Sequence, residues 1–178
     1  MALLDWAAGN LQRPWSRTSR EATNIERCIR DLALPPRPLL MQVIEHVSDK
    51  QGRQISLVPS HLRHLGLSGA WLDIGDRDLI VYETTASSRI QRYIICHEIG
   101  HMVLNHRQLD ASQILQRIEM GDGSSVCGSA YNDKFEDDAD AVARLLLSRL
   151  SKLSEIKDYS GELNTVVGRI AATLKHSA

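Results

Sequence analysis

The spacing of hydrophobic residues predicts two helices near the start of the chain. Residues 22–33 have helical periodicity, and the proline-rich run from Pro35 to Pro38 breaks the chain after them. A second helix is predicted from this break to about Asp49. We expect residues 1–21 to form an irregular or short amphipathic arm in front of these helices.

The pattern then changes to the alternation of apolar and polar residues that is typical of strands. Residues 54–58 alternate in this way, and Pro59 is predicted to end the strand. Residues 68–74 and 77–83 predict a hairpin, whose turn contains Gly75 because glycine can supply a positive φ.

Helical periodicity returns after the hairpin. Residues 92–104 are apolar enough to form a helix that is buried on most sides. Residues 134–147 predict a second helix of this pair, and its core stripe consists of Phe135, Ala139, Val142, Leu146 and Leu150.

The order of these elements predicts an α+β fold, mostly helical, with a small antiparallel sheet beside the last two helices. We expect one domain over residues 22–150, with a C-terminal helix in residues 151–178 packed on it. A chain of 178 residues is long enough for one domain with a substantial core.

The most specific motif is the run H-E-I-G-H, from His97 to His101. On a helix these two histidines are one turn apart and share a face, so both imidazoles can bind one Zn²⁺. Glu98 lies next to that face, where it can take a proton from a zinc-bound water. The run therefore predicts a zinc-dependent peptidase.

The alternative for the same run is a buried helix with two hydrogen-bonded core histidines and a surface glutamate. Two features argue against it. Burying Glu98 in so apolar a run would be expensive without a function. Gly100 costs about 0.5–1 kcal/mol relative to alanine in the middle of a helix, which is explained if another group must approach the backbone closely there.

A catalytic zinc site needs a third protein ligand. The arrangement H-E-x-x-H-x-x-G-x-x-H is excluded, because Leu104 and Arg107 stand where it requires Gly and His. His106 is predicted at the end of the helix, where a cation suits the helix dipole. The remaining solution is a glutamate from the second helix.

The acids of that helix differ in the direction they face. Glu136 and Asp140 project together from a partly buried stripe, whereas Asp138 lies about 200° around the axis from Glu136 at about 100° per residue. We therefore assign Glu136 as the third ligand, and Asp140 as the acceptor for the far ring nitrogen of a ligand histidine. Asp137 falls on a face that is predicted to be solvated. The alternative is that these acids merely favour the helix dipole.

Both helices resemble those of the ImmA/IrrE family of bacterial zinc metallopeptidases. The first match is R-x-x-x-x-H-E-I-G-H, which begins at Arg92, and it follows a short hairpin. The second is E-x-D-A-D-x-V-A-x-x-L-L, which begins at Glu136 and is similar to that family's E-x-E-A-N/D-x-F-A-x-x-L-L. The chain departs from the family at Val142, which replaces the usual Phe, and at Ser148-Arg149, where Met-Pro is frequent.

The resemblance covers roughly residues 22–150 and implies a function. It makes His97, His101 and Glu136 zinc ligands and Glu98 the catalytic base. Members of that family are cytoplasmic, and they cut, or provoke the loss of, helix-turn-helix repressors that control mobile elements, phage genes or stress responses. We therefore expect a protein substrate of this kind.

Two other classes of function compete with this interpretation. The first is a non-enzymatic, zinc-containing regulator that binds a repressor, and the intact Glu98 argues against it because a structural zinc needs no base. The second is a DNA-binding regulator. A net charge of −1, from 21 basic and 22 acidic residues, argues against nucleic acid as the main partner.

The cysteines and the lack of a long apolar run predict the compartment. Cys28, Cys96 and Cys127 have no paired spacing, which is typical of a reducing environment. No run is long enough to span a bilayer, and the start of the chain has no signal core. We expect a cytoplasmic protein without a membrane partner.

Three further features are candidates for a place in the site. Tyr131 and Tyr93 are candidate donors to an oxyanion. The Gly- and Ser-rich residues 121–129 are a candidate lid, in which Cys127 is either an exposed thiol or a ligand for the open zinc position. An exposed strand of the hairpin, from residues 69–74 or 77–82, could pair with an extended substrate.

Overall fold

The predicted order of helices and strands is present in the structure, a computed structural model that describes residues 19–63, 67–106 and 133–151. The described elements are α1 (Ser19–Arg30), α2 (Leu40–Gln51), β1 (Gln54–Ser60), β2 (Gly69–Asp73), β3 (Arg77–Glu83), α3 (Ser88–Val103) and α4 (Asp133–Arg149). The α+β class is confirmed. The predicted N-terminal arm and C-terminal helix lie outside the described residues. Within the described ranges, no helix is long and apolar enough to cross a membrane.

The sheet differs from the prediction in the direction of one strand. Its order is β1-β3-β2. The strands β2 and β3 form the predicted antiparallel hairpin, but β1 runs parallel to β3, so that Ser60 lies opposite Glu83. The prediction of an antiparallel sheet is therefore wrong for β1. The alternation of apolar and polar residues predicts where a strand lies but not which strand it pairs with. Here the chain passes the end of β3 before β2 begins.

The position of each strand explains its burial. The central strand β3 is buried from Asp78 to Glu83, as a strand covered on both faces must be. In contrast, β1 is an edge strand. It continues through Pro59, which was predicted to end it, because an edge strand can lack one N–H donor. The other edge, β2, has β3 on one side and no strand on its second side among the described residues.

Helix α3 lies at the centre of the fold. Every residue from Tyr93 to Met102 is buried, because α2, the sheet and α4 pack around it. The helix is therefore apolar on all sides except where its two histidines and Glu98 stand.

The core stripe of α4 is confirmed in its middle but not at its start. Ala139, Val142 and Leu146 are completely buried, whereas Phe135 is 40% exposed. The ring of Phe135 stacks on the imidazole of His106, with ring centroids 4.4 Å apart. Phe135 therefore contacts a histidine instead of the apolar core. Ala141, predicted on a solvated face, is buried instead.

A buried carboxylate holds the entrance to α3. Glu83 is 1% exposed. It accepts hydrogen bonds from the N–H groups of Leu62 and Arg63 at 2.7 and 2.8 Å, and from the N–H and hydroxyl of Thr85, both at 2.7 Å. Burial acts to raise the pKa of Glu83, but these donors act more strongly together and lower it. Glu83 therefore ties the segment after β1 to the turn that leads into α3.

We expect Glu83→Gln to lower the free energy of unfolding by about 1.5–3 kcal/mol at neutral pH, because charge-assisted hydrogen bonds are lost. A lowered pKa means that this stabilisation is present above the ordinary value of 4.5 and is lost as the pH falls through the folded-state pKa. Urea denaturation at a series of pH values, with the exposed Glu45→Gln as control, measures the difference. A gap between Glu83→Gln and the unmodified protein that widened on acidification would contradict this account.

Candidate metal centre

The site lies where α3 and α4 come closest. A Cβ atom added to Gly100 would lie 2.8 Å from the carbonyl oxygen of Ala139 and 2.9 Å from its Cα. Only a glycine allows the backbone of α4 to approach α3 this closely. The expectation that Gly100 accommodates a close approach is confirmed, and the approaching group is the turn of α4 that carries Glu136 and Asp140.

Three predicted ligands converge in the interior at this crossing. The Nε2 atoms of His97 and His101 are 3.0 Å apart. Glu136 Oε2 lies 3.3 Å from His97 Nε2, and Glu136 Oε1 lies 3.5 Å from His101 Nε2. The ligand atoms of the three residues all lie within 4.8 Å of one another, so the group could hold a metal ion.

The donor set fits a metal ion in two respects. Ligand atoms that bind one tetrahedral zinc at about 2.0–2.1 Å lie roughly 3.3 Å from one another, close to the separations observed here. Moreover, Glu136 Oε1 is buried without a hydrogen-bond partner. A buried carboxylate oxygen in that state is costly unless a cation or proton meets it.

Asp140 fixes the orientation of His97. Its Oδ1 lies 2.8 Å from His97 Nδ1 and accepts a hydrogen bond from the Tyr93 hydroxyl at 2.5 Å. An N–H at Nδ1 leaves the lone pair of His97 on Nε2, which faces Glu136 and His101. This is the placement that was predicted for Asp140.

His106 lies at the Nδ1 side of His101, as Asp140 lies at the Nδ1 side of His97. Asn105 adopts a positive φ of 55°, which turns the chain back after α3, and the N–H of His106 bonds to the carbonyl of His101. The Nδ1 atoms of His101 and His106 are 3.0 Å apart. Burial lowers the pKa of His106, which favours a neutral ring that can accept a hydrogen bond from His101. His106 lies directly after the end of α3, as predicted, but its lowered pKa disfavours the cation that was expected there.

The charges of the two ligand histidines are coupled. Burial acts to lower the pKa of His97, but hydrogen bonds to Asp140 and Glu136 outweigh it and raise the pKa to about 10. Burial and the charge on His97 lower the pKa of His101. A metal ion that binds at the facing nitrogens must displace any proton held there.

Glu98 lies beside these ligands and against the sheet. It is 5% exposed. The backbone N–H of Trp71 in β2 lies near its carboxylate and acts to lower its pKa. Burial, with the nearby charge of Glu136, raises the pKa of Glu98 to about 7. A Cβ atom on Gly69 would lie 3.0 Å from Glu98 Oε1 and 2.3 Å from Ile94 Cγ2. The glycine therefore lets β2 lie directly against the acid.

The remaining candidates do not join the centre in the described residues. The Tyr93 hydroxyl meets Asp140 at the Nδ1 side of His97, away from Nε2, and therefore orients Asp140 instead of facing an oxyanion. Tyr131 and Cys127 lie outside the described residues. Asp138 is not part of the group that could hold a metal ion, as its helical phase predicts.

Sequence reasoning did not identify the contacts of His106 with His101 or of Trp71 with Glu98. A turn that contains Asn, directly after a helix, was a signal for the first, because Asn tolerates a positive φ. A glycine inside a strand was a signal for the second, because it marks a close backbone approach.

Comparison with known proteins gives no relative: no protein-family model matches the chain, and no curated protein is significantly similar to it. What the centre can do therefore follows from its own residues.

The sign of one stability change tests the helix crossing. Helix propensity alone predicts that Gly100→Ala stabilises the protein by about 0.5–1 kcal/mol. The contact with Ala139 predicts instead that it destabilises by about 1–3 kcal/mol, since the backbone of α4 must move. Urea denaturation of the metal-free protein distinguishes the two. A more stable variant would show that the helices do not meet at this residue.

We expect Glu136→Ala to remove most of the bound metal, because it deletes one of three ligands. Asp138→Ala is the matched control: it deletes an acid from the same turn but should leave about one ion per chain. Elemental analysis by mass spectrometry after dialysis measures the content. Loss of metal from Asp138→Ala with retention in Glu136→Ala would overturn the ligand assignment.

Proposed function

We propose that the protein is a zinc-dependent endopeptidase. The observation that carries this proposal is a buried glutamate, Glu98, next to the converging donors of His97, His101 and Glu136. Two imidazoles and one carboxylate are the ligands of many catalytic zinc sites, which keep a further position open. A structural zinc site has no use for a buried acid that is not a ligand, and so Glu98 favours catalysis over a structural role.

When bound, zinc would supply a Lewis acid that polarises a peptide carbonyl and lowers the pKa of water. The proton transfers belong to Glu98. Burial raises the pKa of its carboxyl to about 7, so that the group can accept a proton from water and then donate it to the leaving amine at neutral pH. The backbone N–H of Trp71 lies near this carboxylate and acts against the rise in its pKa.

Asp140 and His106 prepare the ligands for this chemistry. Asp140 holds the Nδ1 side of His97, and His106 holds the Nδ1 side of His101, so that both Nε2 lone pairs point to one place. Partners of this kind fix the ring tautomer and make the imidazole a better ligand. Tyr93 supports the arrangement through Asp140.

The sheet supports an extended substrate. Hydrogen bonds from Ile74 N–H to Arg77 O and from Glu83 N–H to Ser68 O turn the even-numbered residues of β2 toward β3. The odd-numbered residues, which include Trp71, therefore have their backbone groups on the outer edge. Residues 77–82 belong to the central strand and are not available, so we assign substrate pairing to β2.

The substrate class comes from the resemblance to the ImmA/IrrE family. We propose that the protein cuts a helix-turn-helix repressor in the cytoplasm, in a segment that can become extended. An edge strand can pair with such a segment but cannot pair with a folded helix, whose backbone groups are already bonded. The segment should therefore lie outside the DNA-binding helices.

Glu98→Gln tests the mechanism. The amide cannot take a proton from water, and so proteolysis should fall to background while zinc and the fold are retained. The assay is co-expression with candidate repressors, followed by mass spectrometry of the fragments. Cutting should also stop when a chelator removes the zinc. Unchanged cleavage by Glu98→Gln would exclude Glu98 as the base.

The same experiment distinguishes the non-enzymatic regulator. That alternative requires repression to be lost while the repressor stays intact, both with the unmodified protein and with Glu98→Gln. Fragments that appear only with the unmodified protein would exclude it. The exposed Glu45→Gln serves as a control for expression and folding.

A further inference from the structure

Arg53, in the turn between α2 and β1, binds both strands of the hairpin. Its guanidinium donates to the two carboxylate oxygens of Asp78 in β3, at 3.0 and 3.1 Å. The same group donates to Asp73 Oδ1, at the end of β2, at 2.7 Å and to the carbonyl of Gly75 at 3.2 Å. Asp78 is completely buried, which strengthens the bonds to it because water is excluded. The rigid fork of an arginine can bind these four oxygens together, whereas a lysine has three donors on one nitrogen.

The turn that carries Arg53 is itself fixed to α3. Gly52 adopts a positive φ of 65°, which ends α2. The N–H of Arg53 bonds to the carbonyl of Ser48, and the Ser48 hydroxyl donates to the carbonyl of Arg53 at 2.7 Å. Next to the glycine, Gln51 Nε2 donates to the carbonyl of Met102 at 3.0 Å. Arg53 is therefore held beside the C-terminal end of α3.

The strand β2 lies along the part of α3 that carries the candidate site. At the start of β2, a Cβ atom on Gly69 would lie 3.0 Å from Glu98 Oε1 and would collide with Ile94 Cγ2. At its end, Asp73 is bonded to Arg53, beside the last turn of α3. Four residue steps of a strand span about 14 Å, and two turns of a helix span about 11 Å. The similar lengths mean that β2 is attached to α3 near both of its ends.

The second attachment affects the edge that we assign to an extended substrate. Among the described residues, β2 has a neighbouring strand on one side only, and the end of such a strand gains few contacts for the backbone entropy that it loses. The bond from Arg53 reaches Asp73 from outside the hairpin and holds this end before any substrate binds. A binding edge that is already ordered gives higher affinity, because the ligand does not have to order it.

We propose that Arg53 is a positioning residue, which holds β2 on α3 and thereby sets the affinity for an extended substrate. The first half stands on the contacts of Arg53, and the second half rests on the proposed function. Without these contacts the substrate must order β2 as it binds, so KM should rise. Once the substrate is bound the strand is in place, so kcat should be unchanged. A merely structural role predicts the opposite, because unfolded protein lowers the apparent kcat and leaves KM unchanged.

Two matched variants separate the contacts of Arg53 from the loss of an arginine. In Arg53→Lys the ammonium can still pair with Asp78, so that no buried carboxylate is left alone, but it cannot hold Asp73 as well. Arg77→Lys is the control, because Arg77 bonds to Asp76, the adjacent residue of the same hairpin. Circular dichroism verifies that both variants are folded.

Hydrogen exchange of the full chain without substrate tests the first half. Peptides that span β2 and the hairpin turn should exchange about three- to tenfold faster in Arg53→Lys than in the unmodified protein. Arg77→Lys should not accelerate them, and peptides of α4 should be unchanged in both variants. Unchanged exchange of β2 in Arg53→Lys would overturn the proposal. Equal acceleration of all peptides would also overturn it, because that result indicates general destabilisation.

A second variant tests whether the effect passes through Asp73. Asp73→Asn keeps an acceptor for the N–H of Gly75 but removes the charge that Arg53 binds. It should accelerate the same peptides, and it should add nothing further in the double variant with Arg53→Lys, because both changes remove one contact. Effects of the two changes that add in full would overturn this assignment.

Cleavage kinetics test the second half, with a synthetic peptide that spans the bond cut in the co-expression assay. Arg53→Lys should raise KM about three- to tenfold with kcat within about twofold, and Arg77→Lys should change neither. Calorimetry of the same peptide with Glu98→Gln, with and without Arg53→Lys, should give the same ratio of affinities. A lower kcat at unchanged KM would overturn the positioning role.

The two halves can fail separately. If the unmodified protein cuts no repressor, the proposed function fails and the effect of Arg53 on a substrate fails with it. The exchange experiment needs no cleavage, and it still decides whether Arg53 holds β2 on α3. A protein that cuts its substrate with the same KM in Arg53→Lys would instead keep the proposed function and overturn the inference about Arg53.

Discussion

The contact between Gly100 and Ala139 governs the geometry of the site. At this point the backbones of α3 and α4 approach so closely that a single methyl group would collide with a carbonyl oxygen. Two histidines of α3 and two acids of α4 lie within one turn of the contact. The distances between ligand atoms are therefore set by helix packing and not by flexible side chains. A larger residue at position 100 would act on all of them together.

Placing so many ionisable groups in the interior is costly, and the arrangement offsets that cost locally. His97 and His101 each have a partner at Nδ1, and the backbone N–H of Trp71 lies near Glu98. On the side where the candidate ligand atoms meet, Glu136 Oε1 has no hydrogen bond to offset the cost of its burial. A buried carboxylate oxygen without a hydrogen-bond partner is costly, and this cost favours the binding of a cation beside it. The Nδ1 partners of His97 and His101 hold both rings with their Nε2 atoms toward this side.

Much of the fold and of the site could be predicted because local periodicity determines them. The phase of α4 separated Glu136 and Asp140 from Asp138, since side chains four residues apart share a face regardless of the rest of the protein. The position of Gly100 indicated a close approach, because its cost within a helix must be compensated. The candidate ligands were thus identified from the periodicity of two helices.

What could not be predicted depends on contacts between distant segments. The parallel pairing of β1 with β3 follows from the path of the chain between the strands, which alternation does not record. The position of His106 behind His101 follows from one backbone angle at Asn105. Phe135 fits a helical core stripe, yet its turn of α4 faces a histidine ring instead of the apolar interior.

Residues 136 and 140 of α4 hold one imidazole from opposite sides. Glu136 approaches His97 at Nε2, and Asp140 meets it at Nδ1. Because the two acids are four residues apart on a rigid helix, they cannot move independently, and a slide or rotation of α4 would loosen both. Docking of the two helices therefore also brings together the group that could hold a metal ion. A metal ion bound there would act as a clamp whose binding energy adds directly to the association of α3 with α4.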